Sequence, residues 1–453
     1  MRLGRNYWRL WSASAISNLG DGVAQIAYPW LASAVTRDPI LIALIAVSQR
    51  LPWLVFTLPA GVITDRLDRR RIMWTMNAFR TVLTGVVAAV VFVNAGVLPD
   101  PAAVAGATSV PTNWPVYTTL LVASLLFGFA EVLYDNSAQT ILPAIVEPDG
   151  LERANGTLWG AEMVANSFLG PPLGSLLIGV AFFVPFVFDL GSFAVAAALI
   201  FLLAGSYTAE RSDDRDRAHW RAELAEGVRW LWRHPLLRPL AIVLGLLNGL
   251  FMVAGATFIL FVQEILEVDA LVFAVLGMAG AIGGVLGSVL APRVSARLGS
   301  GPSLSLTLIA SAATTIVVGL ASHWAVVFAM FVISSFVGIL WNVITVSLRQ
   351  TIIPDRLLGR VNSVYRFFGW GMMPIGLLTG GILVSIAEAT TGSRELALRL
   401  PYFVVAAAYV AVFAYAAPRL TSAKIETARA EAVATTQARE ATFDDGEAEP
   451  PTG

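Results

Sequence analysis

GVITDRLDRRRI (Gly61–Ile72) is a strongly charged stretch set between two long apolar ones. Leu41–Ile63 before it and Met73–Ala95 after it are each long enough to cross a bilayer, since about 20 mainly apolar residues at roughly 1.5 Å rise suffice. Asp65 falls where the first of these helices emerges into water, and Gly61, one turn earlier, leaves room for a neighbouring helix. The arginines suit carboxylates, lipid phosphate or helix C-termini. A plain positive turn between spans explains the arginines, but not the glycine and aspartate placed together at the membrane edge.

The same alternation of apolar stretch and short polar turn extends along the chain. Spans are expected near Leu10–Ser33, Leu41–Ile63, Met73–Ala95, Val116–Asn136, Thr157–Val180 and Phe182–Ser206. A second set is expected near Leu240–Val262, Leu271–Ala291, Ser303–Ala321, Ala325–Leu348, Val364–Ile386 and Tyr402–Ala417. Composition agrees: 57% of residues are hydrophobic and 13% charged, against roughly a quarter charged in a soluble domain. The basic N-terminus is read as the flank of a retained first span, because the apolar stretch to about Ser33 is too long for a signal-peptide core. Glycine-rich spans, such as the one carrying Gly277, Gly280, Gly283, Gly284 and Gly287, suit close helix–helix approach.

Arginine placement orients the chain. One side collects Arg2, Arg5, Arg9, Arg66, Arg69, Arg70, Arg71, Arg153, those of the middle loop from Arg211 to Arg238, Arg293, Arg297, Arg349, Arg356, Arg360 and Arg419 onward; the other holds Arg37, Arg394 and Arg399. Positive loops stay cytoplasmic, so a multi-pass protein of the cell membrane with both termini in the cytoplasm is expected. An even number of spans demands the same independently.

The domain reading is residues 1–206 as an N-terminal six-helix bundle, 207–239 as a cytoplasmic linker, 240–418 as a C-terminal six-helix bundle, and 419–453 as a cytoplasmic tail disordered beyond, at most, a short helix. Within the linker, Glu210–Arg217 is a charge run, and Trp220, Leu224, Val228 and Leu231 lie at helical spacing, as in an amphipathic helix at the interface. The halves retain a repeat. PDGLERANG (Pro148–Gly156) follows the fourth span and PDRLLGRVNS (Pro354–Ser363) the tenth, and each precedes a span with a Pro-x-Gly step: Pro172 and Gly174, then Pro374 and Gly376. Corresponding loops six spans apart are the mark of two parallel six-helix repeats.

Gly61, Asp65, Arg66, Arg69 and Arg70 together resemble the cytoplasmic loop signature of the major facilitator superfamily, with Asp68 where many members have glycine. The equivalent second-half loop, Gly287–Gly299, keeps Gly287, Arg293 and Arg297 but no acid. Other pieces narrow the resemblance to the enterobactin-exporter and macrolide-efflux branch: NLGDG (Asn18–Gly22), ILPAIV followed by PDGLERANG, and IPDRLLGRVNSV. NSFLGPPLG (Asn166–Gly174) is similar to the antiporter signature of drug exporters, with Gly170, Pro171 and Gly174 matching; small-residue packing against span eleven is its structural alternative. The resemblance spans Arg5 to Pro418. It implies an all-α membrane fold of twelve transmembrane helices in two pseudo-symmetric bundles, and a cytoplasmic charge network holding the outward-facing state. In that network Asp65 would face the start of span eleven, and Arg69 would meet an acid low on span four, for which Asp135 is suited.

Ionisable residues inside a span are site candidates by default. Asp21 lies roughly 18 Å into span one at 1.5 Å per residue, where an aspartate costs on the order of 3 kcal/mol to insert. Arg50 lies at matching depth in span two, so the two form either a structural ion pair or a coupling switch. Glu131 in span four is the second coupling candidate, or else joins the cytoplasmic charge network. Glu162 and Asn166 share a face of span five and either line the pathway or bond to each other. Asp189, Asn248, Asn342, Tyr365 and Arg366 are weaker, each also suiting a helix–helix hydrogen bond. Tyr28, Trp30, Trp341 and Trp370 suit stacking on a planar substrate or placement against lipid.

The exclusions are broad. A net charge of −1 and no basic field argue against nucleic acid. Without cysteine, and with His219, His234 and His323 scattered, neither a metal site nor another cofactor is expected. No G-x-x-x-x-G-K-[ST] motif supports ATP drive, and no clustered acids, histidines or nucleophile support catalysis. The reading is a monomeric secondary transporter exporting an amphiphilic small molecule (a drug, macrolide or siderophore) with protons as the coupling ion. The alternatives are an importer of a polar nutrient, or a non-transporting multipass receptor or enzyme.

Overall fold

The computed structural model describes residues 3–107, 109–208 and 220–444, and the regular secondary structure among them is helical. The first pass is α1 (Arg5–Val35); the second is α2 (Pro39–Val55) continued by α3 (Thr57–Arg66). Then come α4 (Arg69–Val93), α5 (Trp114–Ile145), α6 (Leu151–Met163) joined through a π-helical stretch at Val164–Leu169 to α7 (Gly170–Val180), and α8 (Val184–Phe201). After a short helix, α9 (Trp220–Arg233), follow α10 (Leu237–Gly255) with α11 (Phe258–Glu264), α12 (Ala270–Leu298), α13 (Ser300–Leu320), α14 (Trp324–Ile352), α15 (Asp355–Thr391), α16 (Arg394–Ala416) and α17 (Ser422–Asp444).

Ten of these passes are long and apolar enough to cross a membrane by composition alone. The first two complete the twelve and fall short for visible reasons. α1 dilutes its hydropathy with Ser14, Ser17, Asn18, Asp21 and Gln25, and α2 is only 17 residues long before the break at Phe56. Pro59 causes that break, since it brings no N–H for the carbonyl one turn back. Starts are capped: Asp38 accepts from the Ile40 and Leu41 amides, Asn113 from Val116, and Asp269 from Val272.

Core packing divides by depth. At one face Tyr7, Met73, Ile141, Leu142, Leu203 and Tyr207 form a core within the first six passes. A separate core (Leu231, Leu237, Leu304, Leu348, Leu357, Leu420 and Ile425) forms within the last six. At the opposite, distal face a single core joins both sets, with Trp30, Val35 and Tyr117 on one side and Phe261, Phe273, Leu398 and Tyr402 on the other. The two sets also meet along α2 and α15, where Gly381 lies against Ala43 and Pro39, and Trp53 and Trp370 sit 4.8 Å apart. The face bearing Leu3, α9 and the tail is called the terminal face below.

The tail and linker both lie against the last six passes. The tail differs from the expected disorder: α17 runs Ser422–Asp444 because Ile425, Ala428 and Ala432 at helical spacing pack into that core, and the Lys424 ammonium donates to Pro418 O at 2.7 Å. In the linker α9 buries Leu231 and leaves Val228 and Trp232 exposed, and Arg360 bonds Glu226 at 2.7 Å. The charge run at Glu210–Arg217 lies outside the described residues, as do the side chains of Trp220 and Leu224.

The glycines of α12 fall into two groups. A methyl group on Gly283 would lie 2.2 Å from Val332 O and one on Gly287 2.7 Å from Ile339, as close helix approach requires. A methyl group on Gly277 or Gly280 would meet nothing within 4 Å, although Ser335 Oγ donates to Gly280 O at 2.6 Å, so no steric demand of a neighbouring helix requires glycine there.

Candidate functional site

A cavity of about 920 Å³ penetrates the molecule. Leu10, Leu142 and Leu158 line it near the terminal face, and Ala32, Ile42, Ile259 and Phe273, part of the shared distal core, form its blind end. Asp21, Arg50, Arg80, Glu131, Asp135, Glu162 and Asp189 all line its wall. No group of His, Cys, Asp and Glu suited to a metal ion occurs among the described residues.

Arg80 is the hub of the charged wall. It lies on α4 with Asn77 and Thr84, at i, i+3 and i+7, so the three share one buried face. Its guanidinium stacks over the Tyr134 ring at 5.1 Å and the Phe193 ring at 5.3 Å, and Asp21, Asp135 and Asp189 all lie within its electrostatic reach. Asp189 is buried; Ser192 donates to its Oδ1 at 3.2 Å and its Oδ2 has no protein partner. Gly20 makes room for this, since a methyl group there would sit 2.2 Å from Asp189 Oδ1. The Asn77 amide, Thr84 Oγ1 and the Tyr28 hydroxyl are likewise buried without protein partners. Unpaired buried groups cost about 1–3 kcal/mol each, and of these Asp189 and Tyr28 line the cavity, so its wall is suited to polar ligands and protons rather than to packing alone.

The expected Asp21–Arg50 pair does not form. Arg50 is exposed on the cavity wall, and the arginine nearest Asp21 electrostatically is Arg80. Sequence reasoning missed Arg80 although one signal was present: it is the single charged residue between Met73 and Val93. Glu131, Glu162 and Asn166 all line the cavity. Glu162 and Asn166 do not bond to each other, because the π-helical stretch rotates one relative to the other; both turn to α1. Ser14 donates to Glu162 at 2.8 Å, Gln25 donates to Asn166 Oδ1, and Asn166 donates to Asn18 at 3.4 Å. Asn342 lines a second cavity, and Arg366 lies exposed over Trp370 at 5.6 Å. Asn248 and Tyr365 make helix–helix hydrogen bonds, to Gly369 O and Leu237 O. Trp30 is core, whereas Tyr28 lines the first cavity.

The small residues of α7 meet span one rather than span eleven. Gly170 lies against Gly22, and Gly174 against Val23, so closely that a methyl group on either would fall within 2.7 Å of backbone. NLGDG and GPPLG are therefore two sides of one contact. Proline at the start of α7 removes an amide from the ladder, which accounts for the π-helical turn beside it.

In the terminal loop, Arg69 reaches the fourth span but bonds Thr140 O at 3.0 Å instead of Asp135, which lies deeper, near Glu131 and Arg80. Arg70 donates to Phe201 O at 2.5 Å and Gly205 O at 3.2 Å, closing the C-terminus of α8. Arg66 is exposed, the Asp65 side chain lies outside the described residues, and nothing lies within 4 Å of a methyl group placed on Gly61. Asp68 needs no glycine geometry: its φ is −63° and it caps α4, accepting from Arg71 N at 3.2 Å, Ser206 Oγ at 2.8 Å and Tyr207 N at 3.1 Å. Partial burial raises the Asp68 pKa, but these hydrogen bonds and one from the Arg70 amide outweigh it and hold the group below the usual carboxylate range.

The distal face is latched. Arg37, at the α1–α2 turn, donates to Gln263 Oε1 at 2.6 Å, to Glu264 at 3.5 Å and to Val104 O. Arg394 donates to Glu264 at 2.8 and 3.1 Å, to Glu388 at 2.6 Å and to Arg37 O at 3.0 Å. The Glu264 side chain is 3% exposed and holds arginines from both six-helix sets.

Sequence and structural likenesses converge. The profile of the Major Facilitator Superfamily matches residues 10–377. The multidrug efflux pump Tap of Mycolicibacterium fortuitum is 28% identical over 410 residues, covering 88% of this chain and 93% of that protein. The enterobactin exporter EntS of Shigella boydii is 23% identical, over 78% of this chain and 79% of that one. Among solved structures, a bacterial homologue of the iron transporter ferroportin in its inward-facing state superimposes with a TM-score of 0.65 at 16% identity, over 91% of this chain and all (100%) of that one. A bacterial homologue of the human lysosomal transporter Spinster, inward-facing and unoccupied, gives 0.65 at 15% identity, over 94% and 96%.

Proposed function

The chain belongs to the Major Facilitator Superfamily, a transporter and not an enzyme, and from that premise we propose that it exports an amphiphilic small molecule in exchange for protons by alternating access. The observation that carries this reading is the blind cavity: it opens where the two cores are separate and ends where they are joined. With the terminal face taken as cytoplasmic from the arginine asymmetry, substrate enters from inside the cell and the Arg37–Glu264–Arg394 latch keeps the far side shut. The relatives named as drug and siderophore exporters support the direction.

Arg80 with Asp21, Asp135 and Asp189 is the coupling centre in this reading. A carboxylate that takes a proton loosens its hold on the guanidinium, and the arginine then redistributes among the remaining acids. The proton is taken up when the site faces the outside, and its release to the cytoplasm restores the carboxylate and reverses the change. Mixed aromatic, amide and acidic lining fits an amphiphile better than a sugar-like solute, which needs many neutral hydrogen-bond partners.

The experiment uses inverted vesicles carrying the protein, an imposed proton gradient and a hydrophobic fluorescent dye. Gradient-driven accumulation that an uncoupler collapses is expected, and Asp21→Asn is expected to abolish the pH-driven exchange. Equal accumulation in vesicles without the protein counts against broad export; unchanged exchange in Asp21→Asn removes that residue from coupling.

A further inference from the structure

A second cavity, of about 560 Å³, lies mainly among the last six passes, with Gln25, Ile26 and Pro171 of the first six closing it, and falls inside the range of about 300–1,000 Å³ that takes a drug-sized ligand. It adjoins the first: Gln25, Phe258 and Phe273 line both. Their chemistry is opposite. The first wall carries five carboxylates (Asp21, Glu131, Asp135, Glu162 and Asp189) against two arginines, Arg50 and Arg80. The second carries no Asp, Glu, Lys, Arg or His, only apolar and aromatic groups with scattered amides and hydroxyls.

The glycines give independent support. Gly277, Gly280 and Gly338 all line the second cavity, and a methyl group on any of them would meet nothing within 4 Å. Glycine in a membrane helix is ordinarily explained by a close neighbour, as Gly283 and Gly287 of the same helix are. The Gly280 carbonyl accepts from Ser335 Oγ at 2.6 Å, but the Cβ position of all three faces open space, so the absent side chains leave cavity volume. Trp341, on the same wall, is 3% exposed and its indole N–H has no protein partner, so the wall offers a donor to a neutral acceptor.

We propose that the second cavity is a separate subsite for the bulky, uncharged body of the substrate, whose cationic group lies against the carboxylates of the first. The assignment rests on the exporter reading above and narrows its substrate to amphiphilic cations with an aromatic or alicyclic body bearing neutral acceptors. Charge decides one end of the ligand and shape the other, so the two walls select independently.

The test titrates purified full-length protein with three ions: tetraphenylphosphonium, tetraphenylborate (the same body with opposite charge) and tetramethylammonium (the charge without the body). Tetraphenylphosphonium is expected to bind at least about tenfold more tightly than either of the others. Gly280→Leu and Gly338→Leu, which fill the cavity from different helices, are expected to weaken it about tenfold while leaving the weak tetramethylammonium binding unchanged. Equal affinity for phosphonium and borate, no phosphonium binding by the wild-type protein, or undiminished binding in both filled variants overturns the proposal. A failed exporter reading looks different: the binding pattern holds but no gradient drives accumulation.

Discussion

Arg80 holds its position by stacking as much as by charge. The guanidinium lies over both the Tyr134 and Phe193 rings, and acids from α1, α5 and α8 lie within its electrostatic reach. Arg80→Met removes the cation from a buried acidic group, a change that costs about 3–5 kcal/mol where a buried charge loses its partner; a lower melting temperature in detergent and loss of transport are expected. Arg80→Lys keeps the charge but not the planar stack, so intermediate melting is expected. Asp68 gives a pH prediction. Its pKa is depressed in the folded state, so its stabilisation is present above the ordinary carboxylate pKa and is lost as pH falls through the folded value. Asp68→Ala is therefore expected to lower stability by about 1 kcal/mol at neutral pH, and the difference from wild type shrinks in acid; thermal unfolding against pH measures it. At this scale, depth was legible in the sequence and azimuth was not. Asp21, Arg50, Glu131, Glu162 and Asn166 could each be singled out as polar groups within a span, and all five line the cavity. Which arginine each acid meets depends on the rotation of each helix and on its neighbour, which a one-dimensional pattern does not encode. That is why Arg50 was paired with Asp21 and Arg80 passed over.

Helices show the same division between what spacing encodes and what contact decides. The Pro-x-Gly step of the fifth pass signals an irregular helix, but not that its glycines meet NLGDG of the first pass. Gly170→Ala would place a methyl group 2.5 Å from Gly22 Cα, and overpacking of this kind costs about 1–3 kcal/mol; a fall in melting temperature is expected. Gly61→Ala, with nothing within 4 Å, is expected to melt no lower and to gain up to about 1 kcal/mol from helix propensity. The open space beside Gly61 matches the separation of the two terminal cores, so the same variant is expected to slow transport, because a state in which α15 returns to α3 would need that space. Stability and transport rate measured on one variant separate the two effects.

Across the whole molecule, the twelve passes and the repeated PD loops were readable because hydropathy period and turn chemistry are the same in every conformation. The conformational state was not, for that same reason. Arg37 and Arg394 entered the sequence reading only as exceptions to the arginine asymmetry, yet they share Glu264 and close the distal face. Glu264→Gln removes the charge that holds both, and the population is expected to shift toward a distal-open state by the differential stability lost. Ser33 is fully buried at that face and bonds Gln263 at 3.0 Å. A cysteine placed at Ser33 is expected to react slowly with a membrane-impermeant maleimide, and several-fold faster when Glu264→Gln is present; equal rates would remove the latch from the closure.

The anchoring of α17 has a practical consequence. Lys424 is the only lysine in the chain, and there is no cysteine at all. Its ammonium is tethered to Pro418 O beside Ile425, which is sunk into the core of the last six passes. An amine-reactive dye thus has one side-chain target, fixed to the last six passes, and a single cysteine introduced near Leu3 would put a second colour on the first six. Energy transfer between the two would follow the opening and closing of the terminal mouth in a chain altered at one position only.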